Sequence, residues 1–576
     1  MSRRRGRPLA LVRQALDALG RRIRAEDARW VEGRLEQLPW HWRRRVGVEY
    51  AERAGVDTVA ANRWLMSVTG PWRGRVGLAA SDDDLREAAV EARRGAVDRV
   101  RAVMRVGGGL DVVRRALEGH CASWGVAPAE QAGEPGVRRM LDDRWYLRRL
   151  RRALGRRAEG AAVRAGVVRR EVWPYASDDS VERRRHQRRR VARVMEAAVA
   201  VAADGEAVAM ADVVAGSLAN PECRRSELMV RIRGCDEYAE SQGWQCEFWT
   251  LTTPSRFHAQ SIKGDLLSGA NTNYDGSSPR EAQRWLSAQW AKARAAWARV
   301  GLRVAGLRTA EPHHDGTPHW HVIVYGPAAD VRVARQLVRR YVLRDEGAEP
   351  GAWRHRFNFK IAEEGRGAAA YAAAYISKNI NGAGMDGQGD DEAGGYISDA
   401  VKRVDAWASH WGIRQFQFFG MPRVGLWRTL RRVEPAELPR GAVLEAARAA
   451  ADESDWCRFW KAAASGALEF IKGAERLTAY GDAARPAVVG VCEGGRRLLV
   501  KARDWVIYWG RAVKKSGGVV FDLPRSCVNN CTPSWDGVVE VWKGSAAARS
   551  LGGGRLRVDE GDAAWFGQVA ALDGVP

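Results

Sequence analysis

Four of the chain's ten histidines fall in the window 308–326, RTAEPHHDGTPHWHVIVYG: His313, His314, His319 and His321. Alternate residues of a β-strand project from one face, so His319 and His321 point the same way and Trp320 points to the opposite, packed side. Asp315 and Gly316 supply a turn back to a preceding strand that ends near Glu311. A tight two-residue turn at Asp315-Gly316 sets Pro312 opposite His319. A five-residue connection over 314–318 instead sets His313 opposite His319 and Glu311 opposite His321, and Glu311, His313, His319 and His321 then share one face. Two imidazoles and a carboxylate with open positions make a divalent-metal site.

A second constellation lies downstream in 366–379, RGAAAYAAAYISKN. Alanines at 368–370 and 372–374 favour helix. Tyr371, Tyr375 and Lys378 then fall on one face at successive turns, with small residues around both phenols. A metal polarises a phosphodiester oxygen, and a tyrosine hydroxyl attacks phosphorus in line. The phosphotyrosine ester conserves the bond energy, so strands can be rejoined without ATP. A nearby lysine stabilises the phenolate or the pentavalent phosphate, and two tyrosines let one hold a DNA end while the other attacks a second strand.

Elements that must position these groups are legible around them. Strand-like runs occur at 247–253, 303–310, 320–325, 356–362 and 414–419, and helical stretches at 280–300, 329–344, 366–379 and 397–411 alternate with them. This predicts an α+β domain with a central, mostly antiparallel sheet flanked by helices, over 216–435. Residues 1–175 read as an Arg/Trp-rich helical region suited to DNA binding, and 176–215 as a basic helical linker. The mixed region 436–576 has no readable role, although 441–475 looks helical. Asp179 with Glu182 fits a capping box for a helix at 181–194, whose arginines at 183–190 could track phosphates or form a solvated face. Trp285, Trp290 and Trp297 read as core residues, Asp386, Asp390, Asp391 and Glu392 as a solvated acidic loop, and Tyr396 as structural.

PHWHVIV resembles the HUH motif (His, bulky hydrophobic, His) of rolling-circle replication initiators, and Tyr371-x3-Tyr375 with Lys378 resembles their two-tyrosine motif. The bacteriophage replication gene A proteins are the nearest resemblance. FWTLTTPSRFH (248–258), EPHHDGTPHWH and YAAAYISKNINGAGMD look like that family's three motifs, and the segments at 174, 217–234 and 407–420 are also family-like. The resemblance spans about 140–435. It implies an HUH domain and a metal-dependent, strand-specific endonuclease that nicks a replication origin. Such an enzyme keeps the 5′ phosphate on tyrosine, leaves a 3′ hydroxyl for a host polymerase and rejoins strands. It further implies Mg²⁺ or Mn²⁺ held by His319 and His321 with Glu311 as the best third ligand and His313 as its competitor. Tyr371 and Tyr375 become nucleophiles assisted by Lys378. Thr252, Thr253, Ser255 and Arg256, at a strand end, become candidate contacts to the single-stranded DNA backbone, with turn formation as the alternative.

Composition bounds the rest. At 576 residues and 46% hydrophobic, the chain can bury several cores, and a net charge of +23 favours a polyanionic partner. No apolar run is long enough for a membrane span or a secretory leader, so a cytoplasmic protein is expected, and the resemblance implies a bacterial cell carrying the phage or prophage. The eight cysteines contain no CxxC pair and read as free thiols. No GxxxxGK[ST] motif is present, which fits a helicase supplied by the host. The rival readings are a two-tyrosine HUH transposase, a metallonuclease that uses water, and a non-enzymatic basic DNA-binding protein with a structural metal. The tyrosine pair and the placement of tyrosine after the histidines argue against single-tyrosine enzymes and relaxases.

Overall fold

The computed structural model describes residues 25–70, 75–263, 267–362, 368–380, 389–390, 395–433, 443–464, 468–500, 504–509, 511–515, 518–522, 539–540 and 555–557. Asp386, Asp391, Glu392, Cys527 and Cys531 lie outside them, as do the side chains of Tyr375, Lys378, Asp390 and Tyr396.

The amino-terminal part is helical from Ala25 onward and ends in α1 (Asp143–Arg164). Leu150, Leu154, Ala158 and Ala161 of α1 recur at helical spacing and are buried in one core with Trp42, Tyr50 and Trp124. α2 (Asp178–Glu196) follows. Its cap is Ser177 rather than Asp179: the Ser177 hydroxyl accepts from the Ser180 N–H at 3.3 Å. The buried Glu159 carboxylate of α1 receives the hydroxyls of both serines, which fixes the start of α2 one turn before the expected one. Asp179 instead pairs with Arg183 at 2.6 Å. The arginine run is partly consumed inside the chain: Arg184 and Arg188 reach Asp405 at 2.7 and 2.9 Å. Burial alone would raise the Asp405 carboxyl, but these guanidinium groups hold it below the usual range.

Beyond α3 (Pro221–Ser241), β1 (Gln245–Leu251) and α4 (Pro279–Val300), the chain forms the hairpin β2 (Ala305–Pro312) and β3 (Pro318–Gly326). It continues through α5 (Ala328–Leu343), the single turn α6 (Ala352–His355), β4 (Phe357–Ile361), α7 (Ala368–Ile380), α8 (Ile397–Trp411) and β5 (Phe416–Phe419). The sheet order is β5-β2-β3-β1-β4, and every neighbouring pair is antiparallel. This is the expected α+β architecture, with each of the five anticipated strands within about two residues of its place.

The sheet is buried on both faces. On one, Trp249, Trp320, Val322 and Val324 meet α4, α5 and α8. α4 begins with a capping box between Ser278 and Glu281, with Pro279 in its first turn, and ends on the left-handed Gly301. Trp290 and Trp297 face the sheet from it, as expected of core residues. Trp320 is fully buried, meets Trp290 edge-on at 6.1 Å, donates to Gln283 at 2.9 Å and carries the Arg308 guanidinium 3.8 Å above its ring. On the other face, Leu307, Ile323 and Tyr325 pack against Leu228 and Ile232 of α3 and Ala372 and Ile376 of α7. Helices Val443–Asp452 and Trp456–Ala463 extend that core. The helical expectation over 441–475 fails at its end: Leu468–Lys472 is a strand, paired with Val488–Glu493. Leu468 and Ile471 are its buried residues, and Glu469 and Lys472 are exposed.

All six described cysteines are free. Among the described residues, no helix is long and apolar enough to cross a membrane.

Replacing Trp320 with Ala removes the largest buried side chain of β3. We expect a loss of about 3–5 kcal/mol in chemical denaturation, typical of a vacated aromatic site; a loss under about 1 kcal/mol would contradict the packing described.

Candidate active site

The β2–β3 hairpin pairs one step away from the tight-turn register and two steps away from the five-residue one. Glu311 lies opposite His319, Thr309 opposite His321 and Pro312 opposite Pro318. The connection is 313–317, closed by the His313 N–H to the Thr317 carbonyl at 2.7 Å. Within it Asp315 accepts from the Thr317 N–H at 3.0 Å, and Gly316 sits at φ +82°, a left-handed conformation that glycine adopts without strain. This offset keeps Glu311, His319 and His321 on one face and moves His313 out of the strand.

Glu311, His319 and His321 each present a ligand atom, and these atoms lie within 4.8 Å of one another. The two Nε2 atoms are 2.9 Å apart, and Glu311 Oε2 is 4.0 Å from His321 Nε2. Neighbouring ligands of an octahedral ion with bonds of ~2.1 Å are separated by about 3 Å, so the spacing and the donor set fit one divalent cation. Glu311 and His319 are buried, and His321 is half-buried, which leaves an approach from outside. The His313 ring stacks on that of His319 at 4.0 Å, as a neighbour of this trio rather than a member of it.

Contacts around the trio orient it. Thr250 of β1 lies 3.4 Å from His321 Nδ1. The Asn379 amide of α7 donates to Glu311 Oε1 at 2.5 Å and accepts from Gln415 at 3.0 Å. Asn379 is 2% exposed. A second group backs the loop: His258 Nδ1 lies 3.4 Å from Asp315 Oδ2, and His258 Nε2 lies 3.2 Å from the Thr253 hydroxyl. Burial opposes ionisation of Asp315, yet the adjacent His258 holds its carboxyl far below the usual range. The Tyr175 N–H donates to the His314 carbonyl at 3.1 Å and Trp407 donates to the Gly316 carbonyl at 2.7 Å, so two distant segments clamp the same loop.

Tyr371 and Tyr375 lie on α7, one turn apart, as the spacing predicts. The Tyr371 ring rests 4.1 Å from that of Phe248 on β1. The helix is fixed at its start by Asp236 of α3, whose carboxylate accepts from the Ala368 and Ala369 N–H groups at 3.0 and 2.8 Å. Tyr325 donates to the same carboxylate at 2.8 Å. Burial raises the Asp236 carboxyl despite these bonds. Tyr371 and Asn379 occupy one stripe of α7, and position 375 falls midway between them, one turn from each.

The strand-end residues have intramolecular partners. Thr252 donates to the His355 carbonyl at 2.8 Å, and the Ser255 hydroxyl accepts from Asn271 at 3.2 Å. Arg256 is held by Asp275, Asp345 and Glu346 at 3.4, 2.9 and 3.1 Å and lies over Phe257. Apart from Phe257, these partners lie 16 or more residues away in the chain, so the contacts tie the strand end to other segments.

Asn379, Gln415 and Asp236 are the site-building residues missed by the sequence reading. Asn379 follows Lys378 directly and shares the tyrosine stripe, which was the available signal. Asp236 carried none.

Residues 127–383 match the family described as bacteriophage replication gene A protein (GPA). The chain is 36% identical over 411 residues to the probable replication protein of Pseudoalteromonas phage PM2, covering 69% of this chain and 62% of the relative. It is 35% identical to the replication gene A protein of Escherichia phage P2, covering 69% and 55%. Over 299 residues it is 35% identical to a probable replication endonuclease from a prophage-like region of Salmonella paratyphi A, covering 52% and 37%. The chain thus spans less than two thirds of the length of these relatives. No solved structure matches it.

Asn379→Ala should weaken Mn²⁺ binding by about 10- to 100-fold, as loss of a ligand-orienting contact does, with the circular dichroism spectrum retained. Unchanged affinity by titration calorimetry would remove Asn379 from the site.

Proposed function

Since residues 127–383 match the family of bacteriophage replication gene A proteins, we propose that this chain initiates phage-type DNA replication as a metal-dependent, strand-specific endonuclease built on an HUH domain. The observation that carries the reading is the trio Glu311, His319 and His321, bridged by Asn379 to the helix that bears Tyr371 and Tyr375. Relatives named probable replication endonuclease, from prophage-like regions of Salmonella, support the endonuclease role.

Glu311, His319 and His321 would hold Mg²⁺ or Mn²⁺, which polarises a phosphodiester oxygen when bound. The mixed nitrogen and oxygen donors suit Mn²⁺ better than Mg²⁺. Tyr371 or Tyr375 attacks phosphorus: its oxygen forms the new P–O bond as the phenolic proton departs. The bond to the 3′ oxygen breaks, and that oxygen leaves as a hydroxyl. The 5′ phosphate stays on tyrosine as an ester, and the reverse attack by a 3′ hydroxyl rejoins a strand. Lys378 is assigned the stabilisation of the phenolate or the phosphate. Phe248 supports the Tyr371 ring from below, so the phenol is presented with little rotational freedom. The substrate is single-stranded DNA at a replication origin, with helicase and polymerase supplied by the host.

Labelled single-stranded oligonucleotides incubated with the protein and Mn²⁺ should give a denaturant-stable adduct on Tyr371 or Tyr375 by mass spectrometry. Each single Tyr→Phe change should leave partial nicking and impair strand exchange, and the double change should abolish the adduct. Cleavage by the double variant would refute the tyrosine mechanism. Separately, His319→Ala should lower cleavage by at least about 100-fold without unfolding the chain; near-normal cleavage would rule out the trio as the metal site.

A further inference from the structure

One edge strand of the sheet is β4, and two aromatic rings on it and on the turn before it face solvent. Phe359 is 41% exposed, and Trp353, on the turn just before the strand, is 66% exposed. Each has an arginine of α5 over its ring: Arg335 lies 3.8 Å from the centre of Phe359 and Arg339 lies 4.6 Å from that of Trp353. The two arginines are one helical turn apart, so the two pairs form a short ladder. Arg335 is anchored from beneath by the buried Glu247 at 3.0 Å. A groove of about 670 Å³ lined by Arg339, Arg340, Arg344 and Trp353 adjoins the ladder.

Nearby carboxylates are already engaged. Asp345 and Glu346 pair with Arg256, and Glu349 pairs with Arg356. The surface around the rings is therefore cationic as well as aromatic. An aromatic ring backed on one side by a guanidinium and open on the other accepts a nucleobase on its open face.

The same strand leads back to the candidate active site. Asn358 pairs with Thr250, which touches His321, and Lys360 pairs with Phe248, on which Tyr371 rests. Two inter-strand steps of ~4.8 Å put the edge about 10 Å from the His321 position. Asn358 and Lys360 project to the site face, and Phe359 projects to the other, so a strand crossing the rim meets both.

We infer that Trp353 and Phe359, backed by Arg339 and Arg335, are a stacking subsite for the bases of single-stranded DNA that passes over the β4 edge on its way to or from the cleavage position. The inference rests on the proposed endonuclease reading and names where the flanking strand is held. Stacking selects unpaired bases, because a duplex hides their faces. It is tolerant of sequence, so it supplies hold rather than origin recognition.

The test uses the full chain, EDTA, a labelled 20-nucleotide oligo-dT and a duplex of equal length in fluorescence anisotropy. Trp353→Ala with Phe359→Ala should weaken oligo-dT binding by about 10- to 100-fold, and duplex binding by less than about twofold. Trp353→Phe with Phe359→Tyr should retain most of the wild-type affinity. Equal losses on both DNA forms, no loss on oligo-dT, or no rescue by the aromatic replacements would overturn the subsite. Adduct formation by the wild type, assayed separately with Mn²⁺, reports on the endonuclease reading alone. An adduct with unchanged oligo-dT binding in the double alanine variant removes the subsite and leaves that reading. Selective loss of oligo-dT binding without any wild-type adduct leaves the subsite and removes the reading.

Discussion

The pairing of Glu311 with His319 sets the geometry of everything else at the site. Side chains of a strand alternate between faces, so a slip of one residue in one strand would send Glu311 to the tryptophan side of the sheet. Such a slip would also carry Arg308 onto the histidine face, away from the Trp320 ring that it now covers. The register is therefore enforced from both sides: by the buried aromatic core beneath and by the bonds within the 313–317 loop. A carboxylate and an imidazole placed opposite each other on antiparallel strands converge without needing a flexible loop to bring them together.

Upon that frame, the tyrosine helix is held at both ends by polar contacts and in the middle by small apolar ones. Asp236 occupies its first N–H groups, and Asn379 ties its last turn to Glu311. Ala372 and Ile376 fill the interval against α3 and the sheet. Buried polar contacts of this kind add little net stability but cost much when one partner is lost. They constrain where α7 sits rather than whether it folds, which is what the nucleophile role proposed for its tyrosines would require.

Patterning within short stretches made much of this legible. Alternation in PHWHVIV marked which face each histidine takes, and the alanine-flanked tyrosines marked their helix. The register was not legible, because it depends on which loop residues bond to one another: the His313–Thr317 closure shifts the pairing by one step from the tight-turn reading and by two from the five-residue one. Contacts between distant segments were equally silent. Asn379 and Glu311 are 68 residues apart and Asp236 and Ala368 are 132 apart, and a single sequence carries no trace of such pairings. The cap of α2 was misplaced for the same reason, since Glu159 of a preceding helix selects Ser177. A high arginine count likewise revealed positive charge but not how much of it is spent on Asp405 and Asp179.

The segment at Tyr175 has a bearing on how this chain can diversify. Tyr175, Ala176 and Ser177 are buried, with Tyr175 bonded to the histidine loop and Ser177 to Glu159 of the amino-terminal helices. The passage from helical region to sheet is thus a packed joint, not a tether. Exchange of the amino-terminal helices for those of another lineage would have to bring a matching partner for Ser177 and leave the backbone of Tyr175 undisturbed. Recombination that breaks the gene at this point should be rarely tolerated, and the two regions should be inherited together.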